Sequence, residues 1–215
     1  MSWCIQHSED SFLEVDTKKT EEIDKLDLMF AGNIGKVQNV EDIILAYNEL
    51  RYPDLRIHIF GDGSSYEDCR RLVEEKGILE NVIFYGRVSR DELAGYYKKM
   101  DACLLTLSGR TAIGNTIPSK LSGYLSARKT IVAAIAGDSR YVIDAARCGL
   151  YTDPDDYKKL AETISELYHN RERYSECGIR GREYFEKYCT LDRFMEHVDG
   201  VFSKLISTEK QDLAE

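Results

Sequence analysis

Leu26-Asp27-Leu28-Met29-Phe30-Ala31-Gly32-Asn33-Ile34-Gly35-Lys36-Val37-Gln38-Asn39 is the stretch that decides the fold. A short apolar run ends in a glycine-containing loop, and a helical pattern follows at once. Val40, Ile43, Ile44 and Tyr47 recur at i, i+3, i+4 and i+7, the spacing of one helix face. A strand, a glycine turn and an amphipathic helix in that order form the opening of a βαβ unit.

The same alternation continues down the chain. Leu55–Phe60 reads as a strand before a helix near Tyr66–Lys76, and Val82–Tyr85 before a helix near Asp91–Lys99. Ala102–Leu107 precedes a helix opening near Pro118, and Thr130–Ala134 and Gly149–Tyr151 complete the strands. The last 60 or so residues read as helical, with Leu160, Ile164 and Leu167 on one segment and Phe194, Val198, Val201, Phe202 and Leu205 on another. Strands alternating with helices predict a parallel sheet covered on both faces. The expected fold class is therefore α/β: a Rossmann-like doubly wound parallel sheet with a helical C-terminal tail. Its expected divisions are an entry segment over 1–26, the sheet domain over 27–190, and a C-terminal helix and tail over 191–215. In the entry segment Trp3 and Phe12 read as aromatic anchors, with a disordered tail as the other reading.

Composition narrows the function. The formal charge of −9 argues against a broad grip on nucleic acid, so an anionic ligand needs local donors. The six cysteines make no C-x-x-C pair, which fits reduced thiols in a cytoplasmic setting better than zinc or disulfides. The first residues lack the basic and apolar regions of a signal peptide, and no apolar run approaches the roughly 20 residues of a membrane span.

Three strands run into glycine, at Ala31-Gly32, Phe60-Gly61 and Tyr85-Gly86. In an open α/β sheet the ligand crevice lies at this carboxyl edge. Two readings stay open: the glycines admit a ligand close to backbone, or they only make tight turns. The first loop carries N–H groups and a following helix start, the parts of a phosphate cradle. It matches neither the G-x-G-x-x-G fingerprint nor a P-loop, and Gly61-Asp62-Gly63 is followed by Tyr66 where a third glycine belongs. Pro118 suits a first helical turn, leaving free N–H groups at Ser119 and Lys120. A lysine there opposes the helix dipole; a bound anion would resolve the conflict, and an exposed lysine tolerated at small cost is the alternative. Asp153-Pro154-Asp155-Asp156 resembles a metal-binding D-x-D, but its place before a helix favours capping, so no metal ligands are assigned. His58, between Ile57 and Ile59, reads as structural, and His169 sits at a helix end.

In order, FAGNIGK, RIHIFGDG, NVIFYGRV, DACLLTL, IPSKLSGYLSA and TIVAA resemble the C-terminal, donor-nucleotide-binding domain of GT-B-fold retaining glycosyltransferases of the bacterial polysaccharide-assembly type. The likeness covers roughly residues 3–206, and Gln6–Phe12 is similar to the family's interdomain segment. It implies a nucleoside-diphosphate sugar, UDP- or GDP-linked, as substrate, with no cofactor and no metal. Gly32, Asn33, Ile34, Gly35, Lys36 and Gln38 would face the diphosphate, and Arg87 and Val88 would flank the base. Pro118, Ser119, Lys120, Leu121 and Gly123 would lie by the phosphates and ribose, with Lys36 and Lys120 as the catalytic cations. The implied partner is an N-terminal acceptor-binding domain, in cis or in trans, through which peripheral membrane association would come. Three departures stand out. Asn115 and Gly123 occupy the places of two family glutamates, the second a ribose ligand; Ala127-Arg128-Lys129-Thr130 replaces A-x-G-x-P; and Asn33 replaces an arginine. A transferase half, a stand-alone nucleotide-sugar-binding subunit and a degenerate assembly domain are the three readings that follow.

Overall fold

Strands buried on both faces are written as continuous apolar runs, because neither side of the pleat meets water. Ala102–Thr106 (β4) and Thr130–Ala134 (β5) come close to such runs, while Leu26–Ala31 (β1) is broken by Asp27 and Leu55–Phe60 (β2) by Arg56 and His58; Val82–Gly86 (β3) and Gly149–Thr152 (β6) flank them at the two edges. In the computed structural model, which describes residues 25–212 and side chains as far as residue 203, these strands form one sheet. Its order is β3-β2-β1-β4-β5-β6 and every pairing is parallel. The order reverses between β1 and β4, which is the switch point where doubly wound sheets open a crevice.

Alternation along β1 divides the interior in two. Leu28 and Phe30 join the core beneath α1 (Val40–Leu50), α2 (Tyr66–Lys76) and α6 (Tyr157–His169). Met29 and Ala31 join the opposite core beneath α3 (Arg90–Lys99), α4 (Ser119–Ser126), α5 (Asp138–Ala146) and α7 (Cys177–Tyr188). The last helix, α8 (Leu191–Asp212), packs against α7 and leaves Leu191, Met195 and Phe202 exposed. The expected fold class therefore stands as the fold of the chain.

Local signals set the boundaries. Ser89 and Glu92 form a reciprocal capping box at the start of α3, satisfying two otherwise free N–H groups. Asp156 caps α6 by accepting from the Lys159 N–H at 3.1 Å, as the capping reading expects. That helix begins at Tyr157, two residues later than the sequence suggested, because Asp155 is held at φ 58° outside it. Its carboxylate instead accepts from the Gly109 N–H and the Asn39 side chain, tying three loops together. The helix α5 was not anticipated. Its buried face is Ser139, Val142, Ile143 and Ala146, a perfect helical spacing obscured by a serine and an alanine. Trp3, Phe12 and the rest of residues 1–24 lie outside the described residues.

His58 is structural, as read. It bridges the Asp27 carboxylate at 2.9 Å and the Tyr85 hydroxyl at 2.9 Å, while Arg56 binds Asp27 through two nitrogens. Hydrogen bonds from His58 and Arg56 outweigh the burial of Asp27 and hold its carboxyl well below the usual range. The five described cysteines are buried free thiols, and burial pushes Cys148 up to about 12 and Cys69 to about 11, far from reactive thiolates. Among the described residues no helix is long and apolar enough to cross a membrane.

Candidate functional site

The glycine-ended strands continue hydrogen bonding past their formal ends. The Gly32 N–H donates to Phe60 O at 3.0 Å, and the Gly61 N–H donates to Gly86 O at 2.7 Å. Ile34, fully buried, donates to Asp62 O and accepts from the Ser65 N–H, so the first loop is laced to the second. Gly61 has φ 125°, and a Cβ there would lie 1.8 Å from Gly32 O. The tight-turn reading therefore holds for Gly61 by direct contact. Gly32 differs: a Cβ on it would meet a side-chain amine, that of Lys120, at 3.2 Å.

That amine is the anomaly of the molecule. Lys120 stands in the first turn of α4, which opens at Pro118 with φ −76° as its cap residue, leaving first-turn N–H groups without intrahelical partners. Its side chain reaches over the sheet end, and Nζ lies 3.9 Å from the centroid of Phe30, a member of the opposite core. Among the described residues Nζ is the one buried side-chain nitrogen or oxygen with no hydrogen-bond partner. Burial alone lowers its pKa from 10.5 to about 7. The helix is fixed by Tyr124, fully buried, whose hydroxyl accepts from the Ala31 N–H at 3.1 Å. Nothing in the sequence singled out Tyr124, although it lies one helical turn after Lys120 and so shares its face.

The residues singled out from sequence sit as follows. Gly32, Asn33, Arg87 and Val88 line one cavity of about 400 Å³ at the ends of β1, β2 and β3, together with Phe60 and Leu93. Arg87 is 82% exposed and lies 3.4 Å from the Asp62 carboxylate. Asn33 donates to the Gln38 side chain at 3.0 Å across Gly35, closing the first loop on itself. Lys36 and Ser119 are exposed, and Pro118 is half-buried. Leu121 is fully buried in the α4 core, and its own N–H turns back to Pro118 O, so its side chain stays out of the crevice. Gly123 is half-buried, and a Cβ there would touch nothing nearer than the Tyr97 hydroxyl at 4.0 Å.

A larger cavity, about 710 Å³, opens between α1 and α2 beside Ser108 and Arg110. Five carboxylates line it, from Glu41, Asp42, Asp68, Glu75 and Asp155, against Lys36, Arg71 and Arg110. Desolvation, then the charge of Asp155, pushes Asp42 up to about 6. A site already strained by excess negative charge repels an anion, so its size does not make it the anion site. The strand-end cavity is walled partly by the backbone of Gly32 and Gly61, and the unpartnered Lys120 amine lies behind it against Gly32, whereas Gly35 and Lys36 line the acidic cavity.

Comparison with known proteins follows the same lines. A family model described as "Glycosyl transferases group 1" matches residues 13–184. The putative colanic acid biosynthesis glycosyl transferase WcaI of Escherichia coli K12 is 32% identical over 99 residues, 46% of this chain and 24% of that protein. A GDP-mannose-dependent α-(1-6)-phosphatidylinositol monomannoside mannosyltransferase of Mycobacterium tuberculosis is 29% identical over 129 residues, 59% of this chain and 33% of its own. Among solved structures, Alr3699/HepE of Anabaena, in complex with UDP, superposes with a TM-score of 0.76 at 13% identity, over 92% of this chain and 56% of that one. The chain thus spans about half or less of the length of each of these proteins. The family match takes in most of the chain, and the six-stranded parallel sheet is shared with GT-B transferase structures: the chain belongs to the group 1 glycosyl transferases.

Proposed function

We propose that this chain is the donor half of a two-half glycosyltransferase, holding a UDP- or GDP-linked sugar in the crevice where β1 and β4 part. The observation that carries this reading is the buried, unpartnered amine of Lys120, set against Gly32 at the start of α4. A diphosphate there accepts from that amine and from the first-turn N–H groups, while Arg87 and Val88 flank a base over Phe60. Lys36 and Lys120 stabilise the departing diphosphate as positive charge develops at the sugar, in the place a divalent metal takes elsewhere. The acceptor, a glycan or lipid-linked sugar, is held by a second half in cis or in trans.

Titration calorimetry with UDP, GDP, UDP-glucose and GDP-mannose, with and without magnesium, tests the reading. Binding that is insensitive to magnesium is expected, and no heat at millimolar ligand would overturn it. The purified chain alone is expected to transfer no sugar, since fixing the acceptor against the donor is worth about 7–11 kcal/mol of barrier. Turnover by this chain without a partner would show that the acceptor site lies within it.

A further inference from the structure

Lys120 sits in an unusual position at the strand ends. Three features of its position act together. Nζ has no hydrogen-bond acceptor, it is shut off from water, and it lies over the Phe30 ring and against Gly32. Charged groups on the surrounding elements do not make up for this. On α4 itself Tyr124 is occupied with Ala31, and its phenol is held neutral by burial. From β4 comes Cys103, a thiol likewise held neutral by burial, and from α3 Tyr97, also held neutral. In the loops after β1, β2 and β3 Asp62 accepts from the Gly63 N–H and faces Arg87, and Lys36 is of the same sign as Lys120; after β4 and β6, Arg110 pairs with Asp155 and Asp153 with Arg140. Burial is what lowers the pKa of the amine. An ammonium in that position has surrendered its hydration for a single aromatic face.

We infer that Lys120 is a proton-coupled ligand for the donor diphosphate: at neutral pH and above it rests increasingly as the neutral amine, takes up a proton from solvent as the diphosphate arrives, and gives it back when the nucleotide leaves. This rests on the donor-site reading above and adds a regulation to it. The balance is simple: one proton moves from buffer to Nζ, no other bond to hydrogen changes, and the ammonium then donates to phosphate oxygens. Donor affinity therefore falls as pH rises. The resting amine titrates near pH 7 and the diphosphate-bound ammonium at a higher pH, so affinity drops about fivefold between about pH 7 and about pH 8 and approaches tenfold per unit beyond. Uptake rises from about half a proton per nucleotide toward one across the same interval.

The experiment is titration calorimetry of the whole chain with UDP-glucose and GDP-mannose at several pH values, each in two buffers of different ionisation enthalpy. A nucleotide sugar is the right probe because its pyrophosphate, esterified at both ends, has no proton to exchange in this window. Wild type is expected to show buffer-dependent heat and a falling affinity. Lys120→Arg, charged throughout, is expected to bind with a flat pH profile and no proton uptake; Lys120→Met is expected to bind at least tenfold more weakly, also without uptake. Thermal unfolding of both variants checks that they fold. Tight wild-type binding with no proton uptake and a flat profile would overturn the inference while leaving the donor site intact. A pH dependence that survives unchanged in Lys120→Arg would overturn it too, by placing the proton elsewhere. If no nucleotide or nucleotide sugar binds any form at any pH, the donor-site reading itself falls and this inference falls with it.

Discussion

The two ends of α4 each carry a lysine with a buried amine, and the amines are buried for different reasons. Lys129, just past the C-terminal end, is 5% exposed, and its Nζ donates to Met100 O at 2.7 Å. That bond ties the α4–β5 turn to the end of α3, at a helix terminus where the dipole welcomes a cation. Lys120, at the N-terminal end, has no acceptor and faces the unfavourable end of the same dipole. Desolvation lowers both amines, but at Lys129 the nearby Cys103 and then Asp101 oppose it. A buried lysine with a carbonyl belongs to the architecture; one without any acceptor marks a position that the folded chain alone leaves incomplete.

Opposite signs in a stability measurement are the sharpest way to test that distinction. Lys129→Met should destabilise the chain by about 2 kcal/mol in urea unfolding at neutral pH, since it strips the Met100 carbonyl of a charged donor. Lys120→Met should instead stabilise the ligand-free chain by about 1 kcal/mol near pH 6, by removing an unsatisfied buried amine. The pH window follows from the lowered pKa. Between about 7 and 10.5 the unfolded chain keeps the proton that the folded chain releases, so raising pH favours the folded wild type. The advantage of Lys120→Met is therefore full below pH 7 and shrinks as pH climbs toward 10.5. If both variants lose stability alike, the two lysines are equivalent and the contrast fails.

The smallest expected effect concerns the middle of the same helix. Gly123→Glu should tighten nucleotide binding three- to tenfold, about one imperfect charged hydrogen bond to a ribose hydroxyl. The structure has room for the new Cβ, which meets only the Tyr97 hydroxyl at van der Waals distance. Helix propensity adds up to roughly 1 kcal/mol of stability. Equal or weaker binding by a well-folded variant would detach Gly123 from the ribose position and confine the ligand to the N-terminal end of α4.

Most of the fold was legible because buried parallel strands are mainly apolar, even with Asp27, Arg56 and His58 set into β1 and β2, and the helices between them are amphipathic. The exception, α5, shows the limit: its inner face includes Ser139, whose hydroxyl is buried against Thr116 O, and no hydrophobic pattern reports that. The strand-end glycines could be seen in the sequence, but not which of them serve packing. Gly61 is pinned by the Gly32 carbonyl, whereas Gly32 itself faces an amine from a helix 88 positions further on. The motif Pro118-Ser119-Lys120-Leu121 was equally visible, yet its members part company in three dimensions. Ser119 faces solvent, Lys120 the sheet end, and Leu121 the core. Tyr124 stayed hidden because its task depends on Ala31, which the chain brings to it only through the finished sheet.

The backbone contact between Gly61 and Gly32 also sets a rule for anyone redesigning what the crevice accepts. With 1.8 Å between a would-be Cβ and a carbonyl oxygen, position 61 tolerates no side chain, and a library that varies it returns mostly unfolded protein. The permissive positions are those whose side chains already project outward, Asn33, Arg87 and Ser119. Diversity placed there changes the walls of the crevice and leaves its floor, a lattice of main-chain hydrogen bonds from Gly86 through Gly61 to Phe60 and Gly32, as rigid as before.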